Sequence, residues 1–111
     1  MLKTIYCGDL REGHAGTKVV LAGWVHRRRD HGGLIFIDLR DSKGLVQVVF
    51  NPDDVPEAHR EAETFRQEWV VLVEGNVRSR PPGTNNPNLA TGDVEVYATR
   101  AEVLNPSKTP P

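Results

Sequence analysis

One segment of this chain has a different period from everything around it. Val55, Ala58, Ala62, Phe65 and Trp69 step by three or four residues, the stripe of an amphipathic helix. Asp53 and Asp54 stand near its start, where acidic side chains face the positive end of a helix, and Pro56 suits its first turn. The rest reads as strands. "TKVVLAGWVHRRR" (17–29) is a long strand with Gly23 inside it as a bend or bulge, and "DHGG" (30–33) is a tight connection. "LIFIDLRD" (34–41) is a second strand, "SKG" a turn and "LVQVVF" (45–50) a third. After the helix come a fourth strand, "WVVLVEGNVRSR" (69–80), and the loop "PPGTNNPNLATG" (81–92). "DVEVYATRAEVL" (93–104) is a fifth strand, expected to bend or run irregularly near Arg100. "CGDLREGHAG" is a polar lead-in with turn character, and "NPSKTPP" is a linker-like tail.

Three strands, one helix and two strands predict an all-β chain: an OB-fold, the five-stranded Greek-key barrel, with its helix between strands 3 and 4. A generic β-sandwich gives the single helix no place. OB-folds bind oligonucleotides on the face of strands two and three, between the loops joining strands one to two and four to five.

The length of 111 residues allows one domain with a modest core, and 38% hydrophobic with 26% charged residues fits a folded globular chain. A net charge of −1 excludes nonspecific gathering of nucleic acid by a global positive field, so an anionic partner must be met by local clusters. His26–Arg29 is the densest. No apolar run approaches the ~18 residues that a membrane span needs, and no signal-peptide pattern is legible in the first residues. The lone Cys7 forms no internal disulfide and is expected to be a buried structural residue, and the expected compartment is the cytoplasm.

Strand alternation sorts the candidate site residues. Ile35, Ile37 and Leu39 share a face, which leaves Phe36 outward among Asp38 and Arg40. The same rule turns Gln47, Arg78, Arg80, Glu95 and Tyr97 away from the core, with Arg29 at the end of strand one. An aromatic face stacks on a base, amides and carboxylates bond exposed base edges, and arginine meets a phosphate or a base edge. A carboxylate repels phosphate, so Glu95 makes sense as a reader of a donor-rich edge such as guanine's. Each residue taken alone is also ordinary surface. Their joint placement on one face is what points to single-stranded nucleic acid.

"GWVHRRRDHGGLIFIDLRDSKGLVQVVF" (23–50), with "YCGDLR" (6–11) and "LATGDVEV" (89–96), resembles the N-terminal anticodon-binding domain of bacterial-type aspartyl-tRNA synthetases, over essentially the whole chain. The resemblance implies an anticodon-binding domain over 1–104, with 105–111 as the start of a hinge to a class II catalytic domain absent from this sequence. It places the stacking aromatic for the middle uracil on Phe36, the uracil-reading glutamine on Gln47 and the guanine-reading carboxylate on Glu95. It places contacting arginines on Arg29 and Arg78, and a loop asparagine on Asn85 or Asn86. His31 and Gly83 stand where members specific for the aspartate tRNA tend to carry leucine and lysine. That pair resembles non-discriminating members, which also aspartylate tRNA(Asn), because the anticodons GUC and GUU differ only in the third letter. The implied partners are therefore tRNA(Asp) and tRNA(Asn). No cofactor is implied for this domain; ATP and magnesium are expected for the parent ligase, a homodimer.

No catalytic apparatus is legible in the sequence. There is no P-loop, and His14, His26, His31 and His59 are too dispersed for a metal motif. "FRQE" (65–68) superficially resembles the ATP-binding motif of class II synthetases, but it closes the amphipathic helix, with Phe65 in the buried stripe. The competing reading is a stand-alone single-strand-binding OB protein. A small OB-fold enzyme would need clustered carboxylates or a metal site that the sequence lacks.

Overall fold

Alternating strands with one apolar face bury that face most fully by closing on themselves. In the computed structural model, which describes residues 3–106, they do so. The elements are β1 (Lys18–His31), β2 (Leu34–Asp41), β3 (Gly44–Phe50), α1 (Pro56–Ala62), β4 (Val70–Ser79) and β5 (Val94–Asn105), preceded by 3₁₀ turns at Cys7–Asp9 and Glu12–His14. They form a closed barrel in the order β1-β2-β3-β5-β4, with β1 also paired to β4. The β3–β5 pairing is parallel and the other pairings are antiparallel. This is the expected OB-fold, with its helix between strands 3 and 4. Ile35, Ile37, Leu39, Val46, Val48, Phe50, Val71, Val73, Val77, Val94, Val96 and Ala98 fill the interior, as alternation predicts.

The helix is shorter than its stripe. It ends at Ala62, and Phe65 and Trp69 lie in the connection to β4. Phe65 is nevertheless only 2% exposed and meets Phe50 edge-on, with ring centroids 6.2 Å apart. "FRQE" is therefore a structural turn. Gln67 Nε2 donates to the His26 carbonyl, and Glu68, in the left-handed region at φ 72°, donates its amide to the Val25 carbonyl.

The bulge expected at Gly23 lies elsewhere. Gly23 pairs in register with Val71, and the slip in β1 falls between Val25 and Arg27. Glycine is required at 23 because a Cβ there would sit 2.4 Å from the Arg40 carbonyl oxygen. The slip reverses the alternation. Val25 is buried in the core, yet Arg28 pairs with inward Ile37, and Arg29 with outward Phe36. The "DHGG" connection is also tighter than expected. Asp30 and His31 remain in β1, leaving Gly32 (φ 59°) and Gly33 (φ 86°) as a two-residue turn of the kind that needs positive φ. The expected irregularity near Arg100 is present as a register slip between Ala98 and Arg100, opposite Glu74 and Gly75. Strand β5 reaches Asn105, and residues 107–111 of the expected hinge lie outside the described residues.

The lead-in packs against the barrel through buried Cys7 and Leu10, and the Cys7 amide donates to Asp41 Oδ2 at 2.6 Å. Cys7 is the expected structural thiol. Burial, with the charge of Asp41, pushes its pKa far above the ordinary 9.0. The native state thus holds a proton that the unfolded chain gives up above about pH 9, so stability should be fully present below that pH and fall as pH rises past it. Denaturant midpoints from pH 7 to 10 check this, and Cys7→Ala should flatten the decline.

Among the described residues, no helix is long and apolar enough to cross a membrane.

Candidate nucleic-acid interface

Side chains paired directly across strands share a face. One outer row therefore runs Arg29, Phe36, Val49, Tyr97 across β1, β2, β3 and β5. Val49 is buried although it faces outward, because Phe36 and Tyr97 flank it. Phe36 is half-buried, and the Arg29 guanidinium lies 5.4 Å from its ring centroid. A ring held in this way presents surface without collapsing into the core.

Beside that row runs a hydrogen-bonded relay. Arg29 Nη2 donates to Gln47 Oε1 at 2.8 Å, Gln47 Nε2 donates to Glu95 Oε1 at 2.9 Å, and Arg78 Nε donates to Glu95 Oε2 at 3.2 Å. Arg29 also lies 3.6 Å from Asp38. The relay fixes the Gln47 amide, with its oxygen toward Arg29 and its nitrogen toward Glu95. It also covers both residues: Gln47 is 7% and Glu95 3% exposed, where alternation alone predicts open surface. Burying a carboxylate is costly unless it is paired, and here Gln47 and Arg78 pair it.

Arg29, Asp30, His31, Phe36, Gln47, Arg80 and Thr84 line a cleft of about 410 Å³ over this face. Alternation put Arg80 among the outward candidates, although the resemblance gave it no place in the site. It belongs there because it lines the cleft, anchored by Nε donating to the Val94 carbonyl (3.1 Å) and Nη1 to the Thr84 carbonyl (3.3 Å), while its Nη2 is buried without a partner. Burial lowers its pKa. Arg78 does not line this cleft, and its guanidinium stacks 3.6 Å over the Tyr97 ring. That tyrosine's hydroxyl donates to Asp54 Oδ2 and accepts from Asn51. An outward arginine whose cationic head packs on a tyrosine has no signature in strand alternation.

The loop between β4 and β5 separates the two asparagine candidates. Asn86 organises the loop, its side-chain oxygen accepting from the Asn88 amide and its own amide donating to the Gly92 carbonyl. Asn85 is exposed and donates to Asp93 Oδ1 at 2.7 Å. Gly83 is exposed at φ 84°, a backbone that favours glycine, while His31 closes β1 at the cleft's rim. The cleft thus brings together Arg29, His31, Phe36 and Gln47, with Glu95 and Arg78 behind Gln47, and leaves Gly83, Asn85 and Asn86 in the loop beside Thr84. Among the described residues, no group of three or more histidine, cysteine, aspartate or glutamate side chains could hold a metal ion.

A closed five-stranded barrel with an aromatic, arginine and amide cleft over strands two and three defines an oligonucleotide-binding domain. Residues 19–104 match the tRNA anticodon family of OB-fold nucleic acid binding domains, and the chain belongs to that family. It is 58% identical over 109 residues to the aspartate–tRNA(Asp/Asn) ligase of Geotalea uraniireducens, covering 98% of this chain and 18% of that protein. It is 56% identical to the aspartate–tRNA ligase of Geobacillus kaustophilus, covering 100% of this chain and 19% of that protein. Among solved structures, asparaginyl-tRNA synthetase from Pyrococcus horikoshii matches with a TM-score of 0.78 and 34% identity, over 95% of this chain and 24% of that one. The chain thus spans less than a fifth of the length of these curated relatives.

Proposed function

We propose that this chain reads the tRNA anticodons GUC and GUU for an aspartate–tRNA ligase. The observation that carries the reading is the Phe36 ring held beside the Arg29–Gln47–Glu95 relay in a cleft on the nucleic-acid face. In this reading Phe36 stacks on the middle uracil, Gln47 reads that uracil's edge, and Glu95 reads the first guanine. Each Glu95 oxygen accepts one hydrogen bond in the relay and keeps a second lone pair, with which it can accept from guanine. Arg29 and Arg80 meet phosphates or base edges, and His31 with the Gly83–Asn86 loop faces the third letter. The similarity to ligases named for both tRNA(Asp) and tRNA(Asn) supports relaxed third-letter reading.

Aspartylation itself, with its ATP and magnesium, belongs in this reading to a class II catalytic domain of the longer protein, reached through 105–111. The whole ligase is a homodimer in the cytoplasm.

Titration with anticodon stem-loops bearing GUC, GUU and an unrelated triplet tests the proposal. GUC and GUU should bind alike, and the unrelated triplet at least about tenfold more weakly, about 1.4 kcal/mol. Preference for GUC over GUU overturns relaxed reading. Equal affinity for all three with a steep salt dependence makes the chain a general single-strand binder.

A further inference from the structure

The outer end of β1 carries Arg29 and His31 along a free edge. Pairing with β4 stops at Trp24, and Glu68 and Trp69 extend it only through backbone bonds to Val25. From Arg27 to His31 the strand pairs with β2 alone. A ribbon end supported on one side frays unless something else holds it.

What holds it is α1. The slip between Val25 and Arg27 turns Arg28 toward the barrel interior, where the helix ends. A helix terminus leaves its last carbonyls unpaired and partly negative, which suits a guanidinium. Arg28 Nη1 lies 2.9 Å from the Glu63 carbonyl oxygen, with those of Ala62 and Phe65 at 3.3 and 3.4 Å. Its Nε and Nη2 donate to the two Asp30 carboxylate oxygens at 2.8 and 3.0 Å. That forked pairing fixes the plane of the guanidinium and ties it back to the same edge. From the body of the helix, His59 Nε2 donates to the carbonyl of Gly33 in the hairpin turn, at 2.9 Å. The helix therefore grips both the edge strand and its turn.

We infer that Arg28 and His59 are positioning residues, through which α1 holds Arg29 and His31 in register with Phe36 and Gln47 for RNA. The inference rests on the proposed anticodon reading of the cleft. A preorganised edge binds without first ordering itself, so losing the grip lowers affinity although neither side chain lines the cleft.

Amide hydrogen exchange and stem-loop titration of Arg28→Gln and His59→Ala test this. Exchange at residues 28–33 should quicken by about tenfold or more, while Val46, Val48, Val71 and Val73 keep their protection. Affinity for the GUC stem-loop should fall about fivefold to tenfold, and His59→Gln, whose amide can still donate to Gly33, should stay within about twofold of the parent. An edge that stays protected without Arg28 and His59 overturns the inference, as does a loosened edge with unchanged affinity. Exchange needs no RNA. A parent chain that ignores the stem-loop, while Arg28→Gln loosens the edge, therefore overturns the anticodon reading and leaves the grip of α1 standing.

Discussion

Replacing Phe65 with alanine should lower the stability of this barrel by about 3–5 kcal/mol, the cost of deleting a buried ring and leaving a cavity. Phe65 is 2% exposed and meets Phe50 edge-on at the helix end of the core. The buried residues of the helix there are Ala58 and Ala62, which are too small to fill the space left behind. The loss is a large share of what a domain this size has in reserve, about 5–15 kcal/mol. The measurement is the denaturant midpoint, read with an unchanged slope so that it reports stability alone. A loss under about 1 kcal/mol would show that Phe65 does not close the core. The result also bears on "FRQE". A residue of a nucleotide-binding motif would change ligand affinity and leave the fold intact, whereas the position of Phe65 requires the reverse.

The second large effect is the opposite case. Phe36→Ala should leave the unfolding midpoint nearly unchanged, because the ring stands outside the core. It should weaken binding of a GUC stem-loop by one stacked base, about 1–3 kcal/mol. Arg29 loses the ring beneath its guanidinium as well, so the loss should lie toward the upper end of that range. Unfolding of the variant, or unchanged affinity, would remove Phe36 from the proposed site. Phe65→Ala and Phe36→Ala are the same substitution, and one should act on stability and the other on binding because their rings lie on opposite faces of the barrel wall.

The barrel was legible in advance because its information is local. Ile35, Ile37 and Leu39 mark the inner face of β2 by alternation, and helix α1 announces itself by a change of period. The orientation of Phe36 follows from the same rule. The helix end was harder to read. The apolar stripe continues through Phe65 and Trp69, and nothing local shows that Arg28, distant in sequence, takes the carbonyls of Ala62 and Glu63.

For the site, the sequence supplied residue types and their side of the strand, whereas their partners came from the fold. Alternation put Gln47 and Glu95 off the core, and the chain buries them all the same, because strands distant in sequence bring Arg29 and Arg78 to either end of the pair. It could not separate Arg78, folded onto Tyr97, from Arg80, which lines the cleft. From the arginine run the sequence reading took Arg29 for the site, but it gave Arg28 no role. By itself the sequence determined the barrel, the placement of its helix and the outward turn of Phe36, since each depends on periodicity within one segment. Only the tertiary structure decided that Arg28 grips the helix end, on the side of the strand away from Arg29. That division turns on a one-residue slip in β1, set by its register against β2, and a register exists only once two strands have met.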